Sequence, residues 1–336
     1  MLKLGQNCRL VQLQMKIFKR IVLFLLLGIV LLTVIFTIQN YPAYSNPKNF
    51  PLLSDTNHIK KSLEFIINTP RTRNYKNVEA LDTVAERIRQ EFLQHTNRVA
   101  IQEYRVLDTT YRNIMASFGP EDGERIIVGA HYDVCGDQDG ADDNASGVAG
   151  ILELAKLLKE TKLKYRIDLV AYTLEEPPFF DTKNMGSYVH AKSLHDADIP
   201  VKGMVSLEMI GYYAEEEGSQ TYPVGILKWV YGSKGDYITI AQNSFCGKFA
   251  KEYKEIAFDN NSIPTKCFRS PSFLGGVRLS DHMNYWDFGY SAVMITNTAF
   301  FRNHNYHKKT DTRSTLNIAK MAGAIDGVYR TLTQLQ

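Results

Sequence analysis

The sequence predicts a three-layer α/β fold preceded by one membrane-spanning helix. Three observations carry that reading. From Val78 onward, runs of strand length alternate with segments of helical periodicity; several of these runs are apolar at every residue, as strands covered on both faces are; and a long uncharged apolar stretch lies near the N-terminus. The 336 residues, 44% of them hydrophobic, suffice for one large core. The formal charge of +3 is small, and beyond the N-terminus the basic residues form no long tract, which argues against a nucleic-acid partner.

Residues 1–20 carry Lys3, Arg9, Lys16, Lys19 and Arg20, and no acidic residue precedes Asp55. Ile21 to Ile38 is the apolar stretch, and the basic flank orients it with that end cytoplasmic. A cleaved signal peptide, giving a secreted protein, is the competing reading. Its apolar region usually spans about 7–15 residues and ends in a small-x-small site. This stretch is longer, and Asn40-Tyr41-Pro42-Ala43-Tyr44-Ser45 is a poor cleavage site. The expectation is therefore a single-pass anchor over 21–38, a linker over 39–57 marked by Pro42, Pro47 and Pro51, and one extracytoplasmic (periplasmic or extracellular) domain over 58–336.

Within that domain, Val78 to about Phe92 has apolar positions at helical spacing. Arg98 to Val106 and Tyr111 to Phe118 alternate as strands around a turn at Asp108. Ile126 to Ala130 is a continuous apolar strand ending on His131. After a Gly-Ala-Asp-Asp loop, Asn144 or Ser146 can cap a helix whose Val148, Ile151, Leu152, Ala155 and Leu158 share a face. Ile167 to Leu174 is a strand running into Glu175-Glu176, and Met204 to Leu207 leads into Glu208. Tyr237 to Ala241 precedes a helix at Phe245 to Ile256, Ala292 to Thr296 precedes the loop bearing His307, and a helix over Asn317 to Leu332 closes the chain. Four cysteines, Cys8, Cys135, Cys246 and Cys267, have no zinc-ribbon spacing and are read as outside any metal site, with Cys246 and Cys267 a possible extracytoplasmic disulfide whose proximity spacing does not establish.

Charged residues ending apolar strands are the chemical signal. In open α/β sheets, ligands gather at strand carboxyl ends. His131, Asp143, Glu175, Glu176, Glu208 and His307 all lie at or just beyond such ends, and imidazoles with carboxylates are the ligands that hold hydrolytic divalent ions. A carboxylate between two ions bridges them at about 3.5–4 Å, and Asp143 is the natural bridge. Asp133, two residues after His131, can fold back to the second ring nitrogen. Adjacent glutamates diverge, so one of Glu175 and Glu176 can bind metal while the other faces the substrate water. His282 and His304 compete with His307 for the last position.

The segments HYD at 131–133, GADDNASG at 140–147, the Glu175-Glu176 pair with Met185-Gly186-Ser187, Ser280-Asp281-His282, and YHxxxDT from Tyr306 to Thr312 resemble the zinc aminopeptidase family, metallopeptidase family twenty-eight, from Leu81 to the C-terminus. The resemblance implies a mixed, mostly parallel sheet of about eight strands between helices, two zinc ions, and removal of N-terminal residues from peptides. It places one zinc on His131, Asp143 and Glu208, and the other on Asp143, Glu176 and His307. Glu175 is then the general base, Asp133 orients His131, and Tyr306 stabilises the oxyanion. The family often has Asp where this chain has the longer Glu208. Asp281 and His282 are expected to be structural or to line the substrate site. Two further readings stand beside the aminopeptidase: a glutaminyl cyclase on the same fold, and a metal-free receptor or scaffold.

Overall fold

The computed structural model describes residues 2–41, 44–245, 247–272 and 276–335. The proposed Cys246–Cys267 pair lies outside them, because Cys246 is not among the described residues. Helix α1 (Leu2–Asn40) forms a unit of its own. Its segment Gln12–Ile35 has a mean hydropathy of 2.5 with no buried surface. At 1.5 Å per residue, its 24 residues are long enough to cross a bilayer of about 30 Å.

The second unit begins with a two-residue strand β1 (Tyr44–Ser45), followed by helices α2 (Thr56–Ile67) and α3 (Val78–Leu93) and the hairpin β2 (Val99–Val106) and β3 (Thr109–Phe118). Alternation then sets in: β4 (Arg125–His131), α4 (Gly147–Leu158), β5 (Arg166–Tyr172), α5 (Gly186–Asp196) and β6 (Val201–Glu208). A short α6 (Leu227–Tyr231) precedes β7 (Ile238–Asn243), α7 (Gly247–Asn260), β8 (Thr265–Ser270), α8 (His282–Asp287), β9 (Ala292–Thr296) and α9 (Ile318–Gln334). The nine strands form one sheet in the order β1-β8-β7-β9-β6-β4-β5-β3-β2. Parallel pairing runs through the centre, β9-β6-β4-β5, and joins β7 to β8; the β2–β3 hairpin, β3 against β5, β7 against β9 and β1 against β8 are antiparallel. The mixed sheet is thus parallel where the crossovers are helical and antiparallel toward its flanks, where hairpins and edge strands are added.

The period of two along β4 divides the core into layers. Ile126, Val128 and Ala130 pack with α2, α3, α4, α7 and α9, whereas Ile127 packs with α5 and α8. These are the three expected layers. Part of the segment expected as a linker belongs to the domain: Ser45 Oγ donates to the Phe258 carbonyl at 2.6 Å, and the Leu53 and Ser54 amides donate to the Asp326 carboxylate of α9 at 2.7 and 2.9 Å. Asp326 is buried and needs those donors, which draws the segment at Leu53 and Ser54 onto the helix.

Candidate active site

Three parallel neighbours converge on one edge of the sheet. In the order β6-β4-β5, with strands about 4.8 Å apart, Glu208 ends β6, His131 ends β4, and Glu175-Glu176 follow β5 after a two-residue turn. The turn at Leu174 and the residue after Glu208, Met209, adopt left-handed backbone, with φ of 63° and 51°. That conformation is uncommon for residues with a Cβ and redirects the chain sharply at both carboxylate positions. Asp143 arrives from the turn before α4. Gly147 lets that helix start against β6, because a Cβ there would lie 2.4 Å from Asn144 Oδ1 and 2.5 Å from the Leu207 carbonyl. Gly140 permits the turn itself, with φ of 56° and the Asp143 carbonyl 2.3 Å from where a Cβ would sit.

The two oxygens of Asp143 face different histidines. Oδ1 is 3.5 Å from His131 Nε2, and Oδ2 is 3.2 Å from His307 Nε2. Glu208 Oε2 lies 3.4 Å from His131 Nε2, and Glu176 Oε2 lies 3.1 Å from His307 Nε2. Glu175 Oε2 is 3.7 Å from His131 Nε2. These distances tie His131 to Asp143 and Glu208, and His307 to Asp143 and Glu176, with Asp143 shared; ligand atoms of His131, Glu175 and Glu176 also lie within 4.8 Å of one another. His304 is exposed and His282 Nε2 donates to the Val277 carbonyl at 2.6 Å, so His307 is the histidine brought to the cluster. His282 is fully buried and does not line the site; burial pushes its ring down to about 4.

Supporting contacts orient these groups. Asp133 does so more than once: its carboxylate lies 3.6 Å from His131 Nδ1, as expected, and accepts from the Glu175 and Glu176 amides at 3.2 and 3.1 Å, while its carbonyl lies 3.2 Å from the same ring nitrogen. One residue therefore fixes both the imidazole and the glutamate pair. Ser280 Oγ donates to Glu208 Oε2 at 2.7 Å, which pins the longer arm of that glutamate. Asn144 accepts from the Gly147 amide at 3.1 Å, acting as the helix cap, while Ser146 Oγ donates to the Asp142 carbonyl. Asp142 does not join the cluster. Its carboxylate is spent on the Asn297 and Asn303 amide groups and the Gly211 and Tyr212 amides.

Four buried carboxylates, Asp143, Glu175, Glu176 and Glu208, thus face two imidazoles. Burial pushes Glu176 up to about 8, helped by the charge of Asp143, and raises Glu175 and Glu208 as well. Burial would also raise Asp143, but His131 and His307 outweigh it and hold that carboxyl below the usual range. For His307 burial opposes the charge, yet Asp143 and Glu176 raise the ring to about 10; His131 is likewise raised against burial by Glu175 and Glu208. Asp143 Oδ2, Glu176 Oε1 and His307 Nε2 are buried with no group in hydrogen-bonding geometry. Such a surplus of buried lone pairs calls for cations.

A pocket opens beside the cluster, with Asp143, Glu175, Glu176, Glu208 and His307 on its wall. Its remaining wall is largely aromatic, including Phe180, Tyr222, Tyr231, Phe268 and Phe300, and Lys266 is its added cation. Tyr306 also lines it and stacks on His307, ring centroids 3.8 Å apart.

The profile of peptidase family M28 matches residues 113–331. Along nearly its whole length the chain is also similar to the uncharacterized protein YfbL of Escherichia coli, 39% identical over 94% of this chain and 98% of that one. The chain belongs to peptidase family M28. A probable zinc metalloprotease of Pyrenophora tritici-repentis is 29% identical over 61% of this chain and 45% of its own length. The chain spans less than two thirds of the relatives whose descriptions name a peptidase activity. Among solved structures, the Legionella pneumophila LapA aminopeptidase superposes with a TM-score of 0.65 at 19% identity, over 84% of this chain and 73% of that one. A Fimbriiglobus ruber glutaminyl cyclase does so with 0.62 at 17%, over 87% and 98%. At these identities the structures share the fold.

Three residues of this M28 site were not assigned from sequence. Asp311, within the YHxxxDT segment, accepts from the Asp142 and Asp143 amides at 3.0 and 3.1 Å and so holds the Asp143 turn in place. Arg73 is buried and donates to the Tyr132, Asp139 and Gly140 carbonyls, stapling the loop between His131 and Asp143. An isolated arginine among polar neighbours carries no local signal. Cys135, read as outside any metal site, has its sulfur within 4.8 Å of ligand atoms of Glu176 and His307.

Proposed function

We propose that this chain is a zinc-dependent aminopeptidase that uses two ions and removes N-terminal residues from peptides. The observation that carries it is the carboxylate of Asp143, whose oxygens point to separate histidines, each accompanied by its own glutamate. The residues fit two divalent ions: three donor atoms are buried without partners, and each histidine has carboxylates beside it, a set suited to zinc. His131, Asp143 and Glu208 would hold one ion, and Asp143, Glu176 and His307 the other. When bound, such ions acidify a water and polarise a carbonyl.

Everything else in the reaction falls to the chain. Glu175 takes the proton of the attacking water and returns one to the departing amine; burial makes it a stronger base than an exposed glutamate. Asp133 keeps Glu175 and His131 in register through the contacts described above. The Tyr306 hydroxyl donates to the oxyanion, a role favoured by its place on the pocket wall and by burial, which keeps the phenol protonated. The aromatic pocket takes the side chain of the first residue, and the free N-terminus sits toward Glu208. Residues 21–38 anchor the protein as a single-pass span, with the domain that follows extracytoplasmic.

Zinc analysis of the full chain, with product analysis on a peptide panel, tests this reading. Release of free N-terminal amino acids by a protein holding two zinc ions is expected. Ammonia release with cyclisation of N-terminal glutamine would indicate the cyclase, and an inert, zinc-free chain would indicate the scaffold.

A further inference from the structure

We infer that Cys135 is a sulfur ligand of the ion held by Glu176 and His307, so that this half of the site binds its metal with four protein groups rather than three. The inference rests on the ion-binding reading above and adds a ligand to it. The loop after β4 runs from His131 to Gly136 and feeds both halves at once: His131 points to the Asp143–Glu208 side, and four residues later Cys135 reaches the Glu176–His307 side. A sulfur, a carboxylate oxygen and an imidazole nitrogen of Cys135, Glu176 and His307 lie within 4.8 Å of one another, near enough to converge on one ion.

The neighbours in that group point the same way. Glu176 is buried, with Oε1 lacking any hydrogen-bond partner; Asp143 Oδ2 and His307 Nε2 are likewise unpartnered. The thiol therefore lies beside donors that are unsatisfied, not in an apolar nest in which a cysteine serves as a small hydrophobe. With Asp143 Oδ2, Cys135 completes an oxygen, oxygen, nitrogen and sulfur set. The other half, His131, Asp143 and Glu208, has no sulfur. The two halves should then differ in chemistry: the sulfur half favours thiophilic ions such as zinc, cadmium and cobalt over manganese or magnesium. Binding breaks the S–H bond, forms the sulfur–metal bond and releases one proton to solvent, as any thiol ligand requires.

The test uses the full chain, stripped of metal and titrated with cobalt alone. Bound cobalt reports through its visible d–d bands, and a thiolate ligand adds a near-ultraviolet sulfur-to-cobalt charge-transfer band. The wild type is expected to show both, and Cys135→Ser to keep the visible bands while losing the charge-transfer band. His307→Ala should lose that band too. A second readout follows alkylation of Cys135 by peptide mapping: zinc should slow it by about tenfold or more, since the thiolate is both nucleophile and ligand. Visible bands without a charge-transfer band in the wild type, or alkylation unaffected by saturating zinc, overturns the inference while leaving the two-ion site intact. A charge-transfer band in a protein that hydrolyses no peptide leaves the sulfur ligand standing and overturns only the aminopeptidase. Failure to bind cobalt at all overturns both.

Discussion

Asp143 and Glu175 differ in what they face, and their replacements should fail in different ways. The first offers one oxygen to each histidine, so Asp143→Asn halves the charge available to both groups while keeping the shape. Zinc analysis of that variant is expected to show loss from both halves, with peptide hydrolysis near background; full zinc content with normal turnover would remove the bridging role. Glu175 lies farther from His131 than Glu208 does, 3.7 against 3.4 Å, and lines the pocket. Glu175→Gln should therefore retain zinc and fold while turnover falls by a factor on the order of 10²–10⁴. If Glu175→Gln loses zinc and Glu176→Gln keeps it, the two roles are reversed. Both residues were legible in the sequence as an acidic pair after an apolar strand. The residues alone left open which of them turns toward His307; the family resemblance implied Glu176, whose Oε2 lies 3.1 Å from His307 Nε2.

At the scale of elements, α2 is one that the sequence reading left unassigned. Its sequence, TNHIKKSLEFII, follows a proline-rich stretch, and its Ile59, Leu63 and Ile66 are fully buried in the core. His58 adds a polar clasp to that packing. Its Nδ1 is 2.5 Å from Glu153 Oε2 of α4 and its Nε2 is 2.9 Å from Glu91 Oε1 of α3. Hydrogen bonds to Glu153 and Glu91 raise the ring to about 9 against its burial, and the His58 hydrogen bond lowers Glu91 to about 2. A folded-state value above the usual 6.5 means that the histidine's contribution is complete below that pH and is lost as pH rises through 9. The glutamate's contribution is present above 4.5 and lost toward 2. The clasp is strongest between those limits. Chemical unfolding at pH 6 should show His58→Gln destabilised by about 3 kcal/mol, because Glu153 is left buried without its cation. That gap should narrow between pH 6.5 and 9, and a constant gap would show that packing rather than charge is lost.

The same reasoning accounts for other elements not apparent beforehand. β8, Thr265–Ser270, mixes polar and apolar residues in TKCFRS and becomes a strand because β7 on one side and β1 on the other satisfy its backbone. β5 stops at Tyr172, short of Leu174, because the chain must turn before the glutamates can face the site. By contrast, β4, β6, β9, α3 and α9 lie where their apolar patterns put them.

For the whole molecule, α1 sets the expected behaviour. With a basic flank and no buried surface over Gln12–Ile35, the full chain should remain in the membrane fraction after alkaline extraction. A soluble mature protein beginning near Ser45 would instead mark the segment as a cleaved signal. A reporter fused after Gln336 should register as extracytoplasmic.

Period, apolar run length and residue type are local properties, and they determined the central parallel strands, the anchor-length helix and the residues suited to holding ions. Each depends on a few neighbours along the chain, so each survives in the one-dimensional pattern. Residue type and spacing alone left His307 level with His282 and His304, and the family resemblance implied His307 and the shared Asp143; tertiary structure supplied the distances between them and decided what neither pattern carried, the Asp311 and Arg73 contacts that hold the Asp143 turn and the approach of Cys135 to Glu176. Those relations arise where separate loops meet at the end of one sheet. Because β6, β4 and β5 are neighbours in space but not in sequence order, no spacing along the chain encodes them.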